Sequence, residues 1–155
     1  MSSKLKNLVN DLLSKYEGGE TYFDKLDEEL RNPVNFDIIL ELFTPLSNSN
    51  VIMSGKFGLY ILKLHDRGLI PLKSFIVVNG GLRKGKIIDS EVQVRFFTPN
   101  TSYVFVDDSF YLGRTRDKVS LFLKRLGCHL SGTSVVYDGS VVFDETVHSL
   151  FRYHL

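Results

Sequence analysis

The chain has 155 residues, 43% of them hydrophobic and 24% charged, which is the composition of one ordinary globular domain. Its 19 basic and 18 acidic residues nearly cancel, so no overall field recruits nucleic acid or a membrane surface, and any ionic site must be local. One cysteine, Cys128, excludes an intrachain disulfide framework, no apolar run approaches the roughly 18 residues of a membrane span, and the amphipathic start lacks a signal peptide's apolar core; a soluble, cytoplasmic protein is expected.

Leu5, Leu8, Val9, Leu12, Leu13 and Tyr16 recur at helical spacing, which predicts a one-faced helix stopped by Gly18 and Gly19. A second helix is predicted over Tyr22 to Leu30. Pro33 interrupts the pattern, and NFDIILELF predicts a third helix with Asn35 as its N-cap. TPLSNSN reads as a loop. From Asn50 the texture changes. NVIMSG is a short apolar run ending in glycine, and LYILKLHDRG reads as a buried helix closed by Gly68. KSFIVVNGG, TSYVFVDD and GTSVVYDG are three further β-forming runs. Between the last two, Val119, Phe122, Leu123 and Leu126 make a helical face over Thr115 to Leu126.

Short continuous apolar strands alternating with helices predict a mainly parallel sheet covered on both faces. Such sheets bind ligands beyond the carboxyl ends of their strands. The first strand is followed by SGKFG, Ser54 to Gly58, whose glycines flank Lys56. The second is followed by NGGLRKGK, where Arg83, Lys84 and Lys86 form the densest basic cluster of the chain. The third runs into Asp107 and Asp108 and then a loop opening a helix after Gly113. A helix start offers unpaired N–H groups to a phosphate. The adjacent carboxylates would repel that phosphate, but they accept hydrogen bonds from sugar hydroxyls or hold a divalent metal. A ribose 5-phosphate carrying a pyrophosphate satisfies all three loops at once.

YVFVDDSFYLGRT resembles the signature of the type I phosphoribosyltransferases: an apolar strand, two acids and a loop ending Gly-x-Thr. Asp107, Asp108, Gly113 and Thr115 occupy its fixed positions without insertion. VIMSGKFG is similar to the family's pyrophosphate loop. FIVVNGGLRKGK resembles its strand and flexible catalytic loop, with an Arg-Lys pair like that of the orotate enzymes. GTSVVYDG matches the following core strand. The resemblance covers roughly residues 50 to 140 in the family's order. The chain departs from the pattern at Leu112, where a Thr or Ser is usual, and at Tyr111, where the 6-oxopurine enzymes carry an aspartate. It also departs in the spacing Arg83-Lys84-Gly85-Lys86, which has no histidine nearby.

The resemblance implies a single α/β domain with a mainly parallel central sheet flanked by helices. Residues 50–140 form the core, residues 1–48 are helices packed on it or forming a hood, and residues 141–155 are a tail. It also implies magnesium-dependent transfer of a 5-phosphoribosyl group from 5-phosphoribosyl 1-pyrophosphate (PRPP) to a small nitrogenous base, in a homodimer that binds neither nucleic acid nor membrane. Asp107 and Asp108 would hold the ribose hydroxyls and the metal, directly or through water, and with Lys84 they would be the catalytic groups. Phe110, Tyr111, Leu112, Gly113, Arg114 and Thr115 would hold the 5-phosphate. Ser54, Gly55, Lys56, Arg83, Lys84 and Lys86 would take the pyrophosphate.

Each feature also has a plainer reading. Adjacent acids at a strand end can cap a helix, Lys56 can be a surface lysine, and the basic cluster can be a solubilising hairpin. His65 reads as a core or boundary histidine, while His129, His148 and His154 lack metal-ligand spacing. Cys128 reads as a small buried hydrophobe, and Asp138-Gly139 as a turn or a base-site wall. A second functional class stays open, motivated by Leu112: a protein of this fold that binds PRPP, a nucleotide or a partner without turnover.

Overall fold

The computed structural model describes residues 3–16, 20–78 and 92–152. Three helices come first: α1 (Ser3–Tyr16), α2 (Glu20–Leu30) and α3 (Phe36–Phe43). Leu5, Val9 and Leu12 of α1 and Tyr22, Leu26 and Leu30 of α2 are buried. They repeat at intervals of three or four residues, so each helix turns one stripe inward. Asn35 precedes α3 as expected, but its side chain does not cap the helix. Its Nδ2 instead donates to the Glu29 carbonyl at 2.8 Å, tying α3 to the end of α2.

The core then runs β1 (Asn50–Ser54), α4 (Gly55–Asp66), β2 (Ser74–Val78), β3 (Val92–Arg95), β4 (Ser102–Phe110), α5 (Arg114–Arg125), β5 (His129–Asp138) and β6 (Val147–Arg152). The six strands form one sheet in the order β3-β2-β1-β4-β5-β6. All neighbours are parallel except β2 and β3. The expected α/β architecture, a mainly parallel sheet with helices on both faces, is therefore the one observed.

Alternation along the strands assigns the two faces. Val51 and Met53 of β1, with Phe75 and Val77 of β2, join the core formed with α1–α4. Ile52, Ile76, Val78 and Phe105 join a second core with Val119, Phe122 and Leu123 of α5. Each of these side chains, taken fully out of water, contributes about 1.5–3 kcal/mol. His65 is a boundary histidine: its Nδ1 lies 2.7 Å from the Ile70 carbonyl and its ring meets Phe75 edge-on. Cys128 is buried.

Three expectations need correction. The segment SGKFG is not a loop, because α4 begins at Gly55 and Lys56 stands on its first turn. Gly58 is there for packing: a Cβ would lie 3.0 Å from the Met53 Cβ and 3.2 Å from Val77 Cγ1, so its absence lets the helix sit close on the sheet. The acids do not end β4, which continues to Phe110 paired with Asp138. The tail contains β6, which lies parallel to β5 from Thr133↔Val147 to Asp138↔Arg152. The cluster Arg83, Lys84 and Lys86 lies outside the described residues. On its far side, β3 returns antiparallel to β2.

Candidate functional site

From β1 the chain builds β2 and β3 on one side of the sheet and then crosses back to place β4 on the other. The crevice beyond the carboxyl ends of β1 and β4 is thus the point where strand order reverses, the usual ligand position in an open α/β sheet. Ser54 ends β1 there, buried, and Asp107 and Asp108 stand in the last turns of the pleat of β4.

The two acids are neighbours in sequence but not on one face. Asp107 has the parity of Tyr103 and Phe105 and lines a cavity of about 310 Å³ together with Phe105 and Ser109. Asp108 has the parity of Val104 and Val106 and belongs to the face covered by α2. Backbone and side chain bind the pair locally: the Asp108 N–H donates to Asp107 Oδ1 at 2.9 Å, and Ser109 Oγ donates to Asp108 Oδ1 at 3.0 Å. Burial holds the Asp107 carboxyl well above the usual range, with repulsion from Asp108 adding to it. Burial also pushes Asp108 up to about 6.

The other walls come from the segment joining β4 to α5. Residues 110–115 all line the same cavity. Gly113 has φ +70° and opens α5, where the first turn leaves backbone N–H groups free. A Cβ at Gly113 would lie 2.8 Å from Arg116 Nη2 and 3.3 Å from Phe110 Cζ. Leu112, which lacks the hydroxyl usual at its position, is 74% exposed. Tyr111 turns inward, meeting Phe23 edge-on at 4.8 Å and lying 5.8 Å from Tyr137. A Cβ on Gly139 would come within 2.6 Å of the Tyr111 ring, so Gly139 keeps room for it. Asp138 closes a turn, accepting from the Ser140 N–H at 2.9 Å, and is paired with Arg152 at 3.3 Å.

Of the residues expected at the ribose phosphate, the cavity thus brings together Asp107, Phe110, Tyr111, Leu112, Gly113, Arg114 and Thr115, while Asp108 lies on the other face. Gly55 and exposed Lys56 open α4 and, like Ser54, are not among the residues that line the cavity. Three further residues escaped the sequence reading. Phe23 roofs the cavity from α2. Asp27, one turn along, is pushed up by burial and held down by Arg31, its ion-pair partner at 3.3 Å, and by Lys56; its charge reaches Asp107 and Asp108, and its Oδ1 is buried without a hydrogen bond. Both sit on a helix whose pattern reads only as core. Arg116 borders this cavity and a larger one of about 680 Å³, whose far wall is residues 140–146. The basic run Arg114-Thr115-Arg116 was its signal.

The raised carboxyls give a pH dependence with a definite sign. Folding raises the pKa of Asp108 from 3.8 to about 6 and that of Asp107 in the same direction. The contribution of Asp108 to stability is therefore full below about pH 4 and is lost as pH rises through about 6, and that of Asp107 has the same sign. The ligand-free protein is expected to lose stability between about pH 4 and pH 6 from Asp108, with Asp107 adding a loss of the same sign. Urea denaturation across that range checks it, and a stability that rises with pH would contradict it. Hydroxyl or cation binding needs the carboxylates, so it should strengthen over the same interval.

No family model and no curated protein matches the chain. Solved structures do. The chain is similar to orotate phosphoribosyltransferase from Aeropyrum pernix, at 22% identity and TM-score 0.41 over 78% of this chain and 62% of that one. It is similar to adenine phosphoribosyltransferase from Rhodothermus marinus, at 14% identity and TM-score 0.46 over 80% of this chain and 82% of that one. It is also similar to a hypoxanthine-guanine phosphoribosyltransferase from Bacillus anthracis, at 12% identity and TM-score 0.47 over 84% of this chain and 80% of that one. The chain spans less than two thirds of the orotate enzyme's length.

Proposed function

We propose that the protein is a phosphoribosyltransferase: it binds PRPP and transfers the 5-phosphoribosyl group to a nitrogen nucleophile of a small base, releasing pyrophosphate. The observation that supports this is one cavity lined both by the carboxylate Asp107 and by residues 110–115 at the start of α5. In that arrangement the Asp107 carboxylate accepts hydrogen bonds from the ribose hydroxyls. The N–H groups of the Gly113 turn and the Thr115 hydroxyl hold the 5-phosphate. The bond between ribose C1 and the pyrophosphate oxygen breaks as the bond from C1 to the base nitrogen forms, and the nitrogen's proton leaves. Negative charge on Asp107 and Asp108 favours the positive charge that develops on the ribose. Lys56 stands on the neighbouring helix start for the leaving group. Phe23 and Tyr111 limit water from above. Each charge-assisted contact supplies roughly 1.5–3 kcal/mol.

The donor set fits magnesium. Among the described residues no group of three or more His, Cys, Asp or Glu forms a cage. Magnesium does not need one, since it takes one or two carboxylates together with substrate phosphates and keeps several waters. Asp107, the acid that lines the cavity, would hold it directly or through water, with Asp108 adding its charge from the opposite face of β4, and the metal would offset the charge of the pyrophosphate.

Pyrophosphate release from PRPP and magnesium, measured with a panel of bases, tests the proposal. Release with one base supports transfer. Saturable PRPP binding with no release under any base favours the second reading, a binding protein, which the exposed Leu112 motivates. The basic segment has its own test. If Arg83 and Lys84 meet the pyrophosphate, Arg83→Ala and Lys84→Ala should cut turnover at least about tenfold. Ribose 5-phosphate, which has no pyrophosphate, should bind within about twofold of normal. Equal losses in both assays would make the segment structural.

A further inference from the structure

Arg116, with Phe110, Tyr111 and Leu112, lines both cavities. Its guanidinium lies against the Gly113 turn, where Nη2 occupies the space a Cβ would need, and it stacks over the Phe110 ring at 5.1 Å. From there it reaches across to the β5–β6 connection, where Nη1 donates to Asp144 Oδ2. Its Nε is 3.3 Å from Asp117. Asp144 is itself fixed: Oδ1 accepts from the Thr146 N–H at 2.9 Å and from Thr146 Oγ1 at 2.6 Å. The carboxylate thus occupies a position that an incoming anion at the Gly113 turn would contest. Leu112 offers that anion no hydroxyl, so the adjacent guanidinium is the strongest donor at the turn.

Resting on the phosphoribosyl reading above, we infer that Arg116 binds the 5-phosphate and that Asp144 holds it in reserve, so that phosphate binding breaks the Arg116–Asp144 pair and releases the wall of the larger cavity. Two consequences follow from the geometry. Asp144 lowers affinity for any phosphate at the turn by offsetting the guanidinium's charge and holding it by Nη1, while Nη2 faces the turn. Residues 140–146 then lose their side-chain tie to α5 but keep the Ser140 N–H to Asp138 at 2.9 Å, the Arg152 guanidinium over Phe143 at 4.7 Å and the Thr133 N–H to the Thr146 carbonyl at 3.0 Å, so the wall of the larger cavity loosens between fixed ends once the phosphate is seated. Binding of the phosphate and binding in the larger cavity are then coupled through the Arg116–Asp144 pair.

The test uses the full chain, titrated with ribose 5-phosphate and with inorganic phosphate. Asp144→Asn removes the competing charge and keeps an acceptor for the Thr146 N–H, so the local turn survives. It should tighten ribose 5-phosphate by about threefold to tenfold, and Arg116→Gln should weaken it by about tenfold. The double variant should match Arg116→Gln within about twofold, because Asp144 acts only through Arg116. If Arg116→Gln does not fold, Arg116→Lys, which keeps the charge and loses the fork, should show a smaller loss. Protease cleavage within residues 140–146 should accelerate when ribose 5-phosphate is added to the parent chain and should be fast from the start in Asp144→Asn. Equal affinities of the parent and Asp144→Asn would overturn the latch and leave the phosphoribosyl reading standing. Binding by Asp144→Asn alone would support the latch. Absence of binding in every chain would overturn both.

Discussion

Asp107→Asn is expected to weaken magnesium-dependent PRPP binding by about tenfold to a hundredfold, and to melt higher than the parent chain. The two effects have one cause. The carboxylate lines the cavity of about 310 Å³, where burial and Asp108 oppose its ionisation. Its charge therefore costs stability in the ligand-free protein and is recovered only when hydroxyls or a cation arrive. Losing one charge-assisted contact accounts for the affinity. Removing a carboxyl whose ionisation is opposed by burial and by Asp108 should raise the melting temperature relative to the parent chain at alkaline pH. Asp108→Asn should move in the same directions with a smaller loss of affinity, since Asp108 belongs to the face under α2. Calorimetric titration and thermal melts check both. Unchanged affinity in Asp107→Asn would remove the ribose site from the cavity, and a lowered melting point in both variants would show the acids to be structural.

Gly113→Val should abolish ribose 5-phosphate binding, a loss of at least about thirtyfold, while leaving a folded chain. The residue sits at φ +70°, a conformation that costs a side-chain-bearing residue about 1–2 kcal/mol and a β-branched one more. Its side chain would also displace Arg116 and press on Phe110. Together these should lower stability by roughly 1–3 kcal/mol. Gly113→Ala, with the smaller clash, should retain more stability yet still weaken the phosphate, because the Cβ points into the space the guanidinium now fills. Circular dichroism establishes folding and titration with ribose 5-phosphate reads the site. A folded Gly113→Val chain that binds normally would place the phosphate cradle elsewhere.

The strands of the core were legible because four of them are short, continuous apolar or β-branched runs, and β1, β2, β4 and β5 appear where those runs lie. Helices α1, α2 and α5 were legible because one stripe of each is apolar. β6 was not: Val147, His148, Ser149 and Leu150 show no clean alternation, and the strand is specified by pairing with β5 rather than by its own pattern. The start of α4 was misplaced because Gly55 and Gly58 read as loop residues, whereas Gly58 serves helix–sheet contact. In the site, the Asp107-to-Thr115 segment was legible as a contiguous motif. The opposite orientation of Asp107 and Asp108 follows from strand pleating once β4 is known to run to Phe110, which the acids themselves disguised. Phe23, Asp27 and Arg116 come from helices whose local patterns report only burial or charge, and their approach to the site is set by tertiary packing.

The roof of the cavity is encoded before its floor. Phe23 and Tyr22 reside in α2, near the start of the chain, and their ring partners Tyr111 and Tyr137 lie beyond β4 and at the end of β5. During synthesis α2 emerges with its aromatic face uncovered and stays so until most of the sheet has been made. The aromatic joint is therefore among the last contacts to close, and it joins distant parts of the chain, the kind of contact that slows folding. Because the chain contains no tryptophan, the chiral environment of these tyrosines is the intrinsic optical signal of that closing step. A chain halted before β5 would carry the whole Asp107-to-Thr115 motif without the β5 tyrosine that backs its roof.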